Sequence, residues 1–307
     1  MGRHHVHVGP SSGRVGSLIE AVLAGGAELS EPEEAEVLVW ADPHRADELG
    51  SYLEGMEATK WVALPYAGVE PYIGTIRSRP DLLWTCARDV YSRPVAEHAI
   101  ALATAGLRRI VGYAQQTSWT GQEGTMLIDG NLTIFGGGGI ARAVISLLQG
   151  WNCDITVVRR AAEPVDGATR VLPPTQSVEA VRGADAVILA LPLTEVSRHI
   201  VNREVLGAME RHAWIVNVAR GGVVDTEALV QALVEGWIGG AALDVTDPEP
   251  LPEDHQLWSF PNVVITPHVG NTPEMGIPLL AAFVERNVAT WIDGGSVEGI
   301  VDPVAGY

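Results

Sequence analysis

Cysteine is nearly absent: Cys86 and Cys153 are the only two in 307 residues, far apart and each among apolar neighbours. That excludes a disulfide framework and predicts reduced, buried thiols, as in a cytoplasmic protein. Long apolar runs are also lacking, since no stretch approaches the roughly 20 residues that a membrane-crossing helix needs. The opening MGRHHVHVG is too short and too polar for a signal segment. Positive charge is scarce, with 20 Lys and Arg against 38 Asp and Glu, and the net charge of −18 argues against nucleic acid or an anionic membrane as partner. His4, His5 and His7 lie in an alternating pattern that reads as a first strand, and no metal site is expected there. Repeats and low-complexity segments are missing too.

What is present is enough apolar content, 47%, to bury a sizeable core over a length that suits two domains. Short β-branched runs at 4–9, 35–40, 61–64 and 82–86 alternate with helical spacing, and the same alternation resumes after residue 130. Residues 93 to about 112 read as one long helix, and so do residues 275 to about 291. The pattern predicts an α/β protein with two Rossmann-like domains and mainly parallel sheets, whose ligands lie beyond the carboxyl ends of the strands.

The stretch from Leu132 to Arg160 organises the second half. An apolar run ends in four glycines, Gly136 to Gly139, and a helical pattern leads to a second β-branched run. As G-x-G-x-x-A, it supplies Gly136, Gly138 and Ala141, with Gly139 and Ile140 at the start of the helix. Such a turn brings backbone N–H groups and a helix N-terminus against a pyrophosphate, so a dinucleotide site is expected.

Three polar residues stand just after apolar runs in the same domain. Arg220 follows IVNVA, His268 follows VVITP, and Glu249 lies in the loop after the run that ends at Asp244. Their types make one reaction. An arginine can grip a carboxylate by two parallel hydrogen bonds and polarise the adjacent carbonyl. A histidine delivers a proton as hydride arrives, and a glutamate paired with it raises its proton affinity.

The segment at 191–270, with its ARG, DVTDPEP and TPH motifs, closely resembles the D-isomer specific 2-hydroxyacid dehydrogenases, as do VAEHAIALATAGLRR at 95–109 and the glycine loop. The resemblance implies that Arg220 binds the substrate carboxylate and carbonyl, Glu249 tunes the histidine, and His268 is the acid/base. It implies a discontinuous, flavodoxin-like substrate domain from residues 1–92 and the returning helix and tail at 273–307, with a nucleotide-binding Rossmann domain at 93–272 between them. Hinges fall near 90–95 and 270–275, and closure of the cleft would exclude water. It further implies that Ala67, Gly68 and Val69, beside Tyr66, offer backbone N–H groups to the substrate. Pro192, Val218 and Ala219 would border the cofactor, Asp244 would lie near the nicotinamide, and a homodimer would form through the nucleotide domain.

The chain departs from the family pattern in several places. Where the second strand of the nucleotide unit normally ends in an aspartate for the ribose hydroxyls, this chain has Arg159 and Arg160, which attract a 2′-phosphate. NADP(H) is therefore expected over NAD(H). Tyr91 replaces a common asparagine, MLIDGN precedes the glycine strand, and Asn271 and Thr272 follow the histidine where small residues are usual. The expected reaction is reduction of a small 2-oxo acid such as glyoxylate, hydroxypyruvate or phenylpyruvate to the D-2-hydroxy acid. Tyr66, Tyr72, Tyr91 and Trp258 either line its pocket or pack. The alternative is a non-catalytic, dinucleotide-sensing interaction protein of the same fold, which has no need of Arg220, Glu249 and His268 together.

Overall fold

The computed structural model describes residues 4–161 and 163–304, so Met1 to Arg3 of the opening segment, Ala162 and the last three residues lie outside it. The chain forms two compact units, one from Met1–Tyr91 with Thr272–Tyr307 and one from Ser92–Asn271.

The first unit runs β1 (His5–Gly9), α1 (Val15–Ala24), β2 (Glu28–Leu29), β3 (Val37–Trp40), α2 (Leu49–Tyr52), β4 (Trp61–Leu64), α3 (Ile73–Ser78) and β5 (Leu83–Cys86). Its five strands are parallel in the order β2-β1-β3-β4-β5. β3 (VLVW) and β4 (WVAL) contain no polar residue and are buried throughout, as parallel strands covered on both faces must be. The two-residue edge strand β2 was not anticipated, because two residues carry no periodicity. A 3-10 turn at Pro43–Glu48 leads into α2, and Asp42 caps it by accepting from the N–H of His44.

The second unit runs α4 (Ser92–Leu107), α5 (Ile110–Ala114), β6 (Asn131–Phe135), α6 (Gly139–Leu147), β7 (Asp154–Val158), β8 (Arg170–Leu172), α7 (Ser177–Ala180), β9 (Ala186–Leu189), α8 (Arg203–Ala208), β10 (Trp214–Asn217), α9 (Thr226–Val234), β11 (Gly240–Leu243) and β12 (Val263–Ile265). Seven parallel strands follow the order β12-β11-β10-β9-β6-β7-β8, so the winding reverses between β6 and β9. One apolar layer joins Leu102, Val144 and Ile145 to Ile134, Ile188 and Val216; the other joins Val205, Leu206, Leu229 and Ala232 to Val187, Ile215 and Leu243. The helix expected over 93–112 is broken. The carbonyl of Leu107 accepts from the N–H of Thr125 at 2.8 Å, and Arg109 turns left-handed at φ 53 before α5 begins.

α10 (Pro273–Ile292) belongs to the first unit, where Leu280, Phe283, Val284 and Val288 pack with Leu18 and Val22 of α1. The approach is close: a β-carbon on Gly25 would stand 2.8 Å from the carbonyl of Glu285. The tail then pairs with β5, Thr85 bridging Ile300 and the N–H of Cys86 donating to Gly299 at 2.8 Å.

Candidate active site

The glycine turn stands where the winding of the second sheet reverses. Gly136 has φ +111, and a β-carbon there would lie 2.1 Å from the carbonyl oxygen of Ala190, just beyond β9. No side chain fits that position. Gly138, the residue before α6, faces open space where its β-carbon would be, so the backbone is exposed to a ligand beside a helix N-terminus. Ala141 is fully buried and seats α6 on the sheet. This cradle suits a dinucleotide's diphosphate.

Arg159 follows β7 and lays its stem along the turn, Cδ being 2.8 Å from a β-carbon built on Gly137. Its guanidinium is 3.7 Å from the Glu163 carboxylate. Asp154 opens β7, at the end of the strand opposite Arg159, and Arg160 is exposed. Pro192 follows β9 and accepts from the hydroxyl of Ser197 at 2.7 Å.

Beyond β10, Val218 and Ala219 are buried and Arg220 is partly buried. Asn217, the last residue of β10 and 1% exposed, braces this turn by accepting from the N–H of Ala219 (3.0 Å) and donating to the carbonyl of Arg220 (2.9 Å). Gly221 presses the turn onto the next loop, since a β-carbon would lie 1.9 Å from the Thr246 carbonyl oxygen. That loop carries Glu249, whose Oε1 is 2.7 Å from Nδ1 of His268. The histidine and glutamate side chains are 53% and 42% exposed, so their outer atoms remain accessible.

Asp244, one residue past β11, organises the histidine loop. Its carboxylate accepts from the Thr266 hydroxyl (2.6 Å) and from the N–H groups of Val269 (2.9 Å) and Gly270 (3.0 Å), and His98 Nε2 of α4 lies 3.3 Å away. Burial pushes this carboxyl up, but the hydrogen bonds outweigh it and hold it at about 2. Both oxygens are thus occupied by the loop. Sequence reading placed Asp244 beside a nicotinamide and did not find His98 or Asn217. Asn217 left a signal, a polar residue ending a buried strand; His98 left none, because its partner Thr266 is 168 residues away.

Ala67, Gly68 and Val69 lie in the first unit between β4 and the 3-10 turn Glu70–Tyr72. Of the four aromatic residues left open, Tyr72 is 1% exposed and packs with Trp40, Leu49 and Ile76, so it is core. Trp258 is half exposed, its indole N–H donating to the Pro252 carbonyl. Among the described residues no cluster of three His, Cys, Asp or Glu could hold a metal, and no helix is long and apolar enough to cross a membrane.

A doubly wound parallel sheet with a glycine turn at its winding reversal, and a paired histidine and glutamate beyond neighbouring strands, defines the class of nucleotide-binding oxidoreductases. The family profile described as D-isomer specific 2-hydroxyacid dehydrogenase, NAD binding domain, matches residues 99–270. A glyoxylate reductase of Pyrococcus furiosus is 35% identical over 71% of this chain and 68% of its own length. A glyoxylate/hydroxypyruvate reductase A of Arabidopsis thaliana is also 35% identical, over 68% and 67% respectively. Among solved structures, a D-isomer specific 2-hydroxyacid dehydrogenase from Xanthobacter autotrophicus Py2, in complex with NADPH and MES, shares the fold at a TM-score of 0.85, 24% identity and full coverage of both chains. The chain belongs to the D-isomer specific 2-hydroxyacid dehydrogenase family. It is an oxidoreductase that takes a nicotinamide dinucleotide.

Proposed function

We propose that the protein reduces a small 2-oxo acid of the glyoxylate and hydroxypyruvate type to the D-2-hydroxy acid, with NADP(H) preferred to NAD(H). The observation that carries this reading is the 2.7 Å contact of His268 Nδ1 with Glu249, on a loop pressed against the turn of Arg220. The names of the Pyrococcus and Arabidopsis relatives support the substrate type. The second unit takes the nucleotide role and the first unit the substrate role.

The glycine turn at Gly136 to Ala141 would hold the dinucleotide, which would supply the hydride. The chain's own residues do the rest. Arg220 grips the carboxylate and draws electron density from the carbonyl. With Nδ1 fixed on Glu249, His268 presents Nε2 outward, and its Nε2 proton passes to the oxygen that becomes the hydroxyl. In the reverse direction the same nitrogen receives the proton. Pro192, Val218 and Ala219 border the cofactor, and Asp244 serves the site by fixing the loop of His268. Ala67, Gly68 and Val69 hold the substrate carboxylate from the first unit through backbone N–H groups.

Arg159 and Arg160, without an aspartate beside them, support the choice of NADP(H). The protein acts as a homodimer in the cytoplasm on this reading. The test is a kinetic screen of glyoxylate, hydroxypyruvate and phenylpyruvate with each reduced cofactor. Turnover faster with NADPH is expected; tight cofactor binding with no turnover across the panel would instead support a dinucleotide sensor.

A further inference from the structure

Three turns of the first unit converge at the carboxyl edge of its sheet. Arg14 ends the turn after β1, Tyr66 lies in the loop after β4, and Tyr91 follows β5. An Nη2–H of Arg14 donates to the Tyr66 hydroxyl at 2.5 Å, and the guanidinium carbon lies 4.9 Å from the centre of the Tyr66 ring. Tyr91 packs against that ring in a T-shaped contact, centres 6.0 Å apart, and is itself anchored by donating to the carbonyl of Pro65 at 2.6 Å. The turn carrying Arg14 is tied down as well, its N–H reaching Ser12 Oγ, which donates to the carbonyl of Ala41 after β3. The Tyr66 hydroxyl is therefore a fixed point.

The chemistry of the pair gives that point a direction. A guanidinium only donates, so the Tyr66 oxygen serves Arg14 as acceptor and keeps its own proton to give elsewhere. No described residue accepts that proton. Among the described residues Arg14 also has no carboxylate partner, and its Nη1 is buried without a hydrogen bond. A cation in that state polarises the phenol it touches and favours an electron-rich oxygen in front of it. Tyr66 immediately precedes Ala67, Gly68 and Val69, the backbone groups assigned above to the substrate carboxylate.

We propose that Arg14 and Tyr66 form a specificity-determining pair, in which the Tyr66 hydroxyl donates to an oxygen on C3 of the 2-oxo acid and Arg14 holds it in that role. The preferred substrate then carries a C3 hydroxyl, as hydroxypyruvate does, and pyruvate, which has only hydrogens there, leaves the phenol proton unmatched. A site built to hydrogen-bond a substrate group discriminates against the analogue lacking it, here by about 10-fold or more. This inference rests on the proposed 2-oxo acid reduction.

The test compares kcat/KM for hydroxypyruvate, pyruvate and glyoxylate in the wild type, Tyr66→Phe, Arg14→Gln and Arg14→Lys. Tyr66→Phe removes one oxygen and leaves the ring packing intact. The wild type should favour hydroxypyruvate over pyruvate by at least about 10-fold, and Tyr66→Phe should bring that ratio to within about 3-fold of unity. Arg14→Gln should lower it in the same direction, and Arg14→Lys, which keeps a cationic donor, should restore part of it. A parallel loss on both substrates with the ratio unchanged would overturn the inference, since it would mean that the pair only holds the loop. Equal wild-type use of hydroxypyruvate and pyruvate would overturn it too. Failure of the wild type to reduce any of the three acids would remove the proposed function together with this inference, whereas turnover with an unaltered ratio removes this inference alone.

Discussion

At φ +52, His268 occupies a left-handed backbone region that a β-carbon disfavours. The surrounding hydrogen bonds hold it there: its N–H reaches the Asp244 carbonyl at 2.9 Å, while the Asp244 carboxylate takes the next two N–H groups of the loop. Two predictions belong at this scale. His268→Gln should lower the reduction rate by about 100-fold or more while the dissociation constant for NADPH changes little; single-turnover kinetics and a binding titration would check it, and an unaltered rate would take His268 out of the proton transfer. The second concerns Asp244, whose folded-state value near 2 lies below the ordinary 3.8. A carboxyl lowered by folding stabilises in its ionised form, so its contribution is complete above about pH 4 and is lost as pH falls toward about 2. Asp244→Asn should therefore lower the urea midpoint at neutral pH, and the gap from wild type should narrow across that acid window. A gap that stays constant through it would show that the charge of Asp244 contributes nothing.

The glycine turn shows how much of an element can be read from sequence alone. Strand, turn and helix are visible in it because Leu132–Phe135 is apolar but for the β-branched Thr133 and because only glycine suits position 136. Gly136→Ala should be destabilising by about 2 kcal/mol or more, since it places a methyl group against the Ala190 carbonyl in a left-handed backbone. Thermal unfolding and NADPH titration would both register it. Arg159→Asp acts on the same element from the outside and should lower the NADPH to NADH ratio of kcat/KM by about 10-fold or more. An unchanged ratio would mean that Arg160 or another group reads the phosphate. The core strands β3, β4 and β9 were legible as apolar runs without alternation. The break between α4 and α5 was not, because the N–H of Thr125 that captures the Leu107 carbonyl lies beyond any helical window. The positions of Arg220, Glu249 and His268 were legible as polar residues placed after apolar strands, β10 and β11 buried and β12 partly so. His98 was hidden because its meaning lies in Asp244 and Thr266, which the fold brings to it from the far end of the second unit.

At the scale of the whole molecule, the segment after α5 poses the remaining question. Trp119 is 98% exposed, and Ile110, Met126 and Ile128 nearby are about half exposed. An indole left wholly in water is an unusual use of the side chain that contributes most to interfaces. The same segment walls two cavities of about 490 and 600 Å³, the first lined by Tyr113, Trp214 and Pro261 together with Arg109, Glu123 and Asn262, so a protruding aromatic and a concave surface of mixed chemistry lie on it. A protrusion and a concave surface on one segment suit a self-complementary contact between two copies, which makes this segment the place to test the proposed homodimer. Each copy carries a net charge of −18, so long-range repulsion opposes the apolar contact and added salt should relieve it. Sedimentation should therefore find a species at twice the 32.7 kDa of the chain, strengthened at higher ionic strength. Trp119→Ser should shift it to the single chain without lowering the unfolding midpoint of the monomer, because the side chain it removes is not part of either core. If the variant sediments as the wild type does, the segment is not the contact, and a dimer would have to be sought on another face of the second unit.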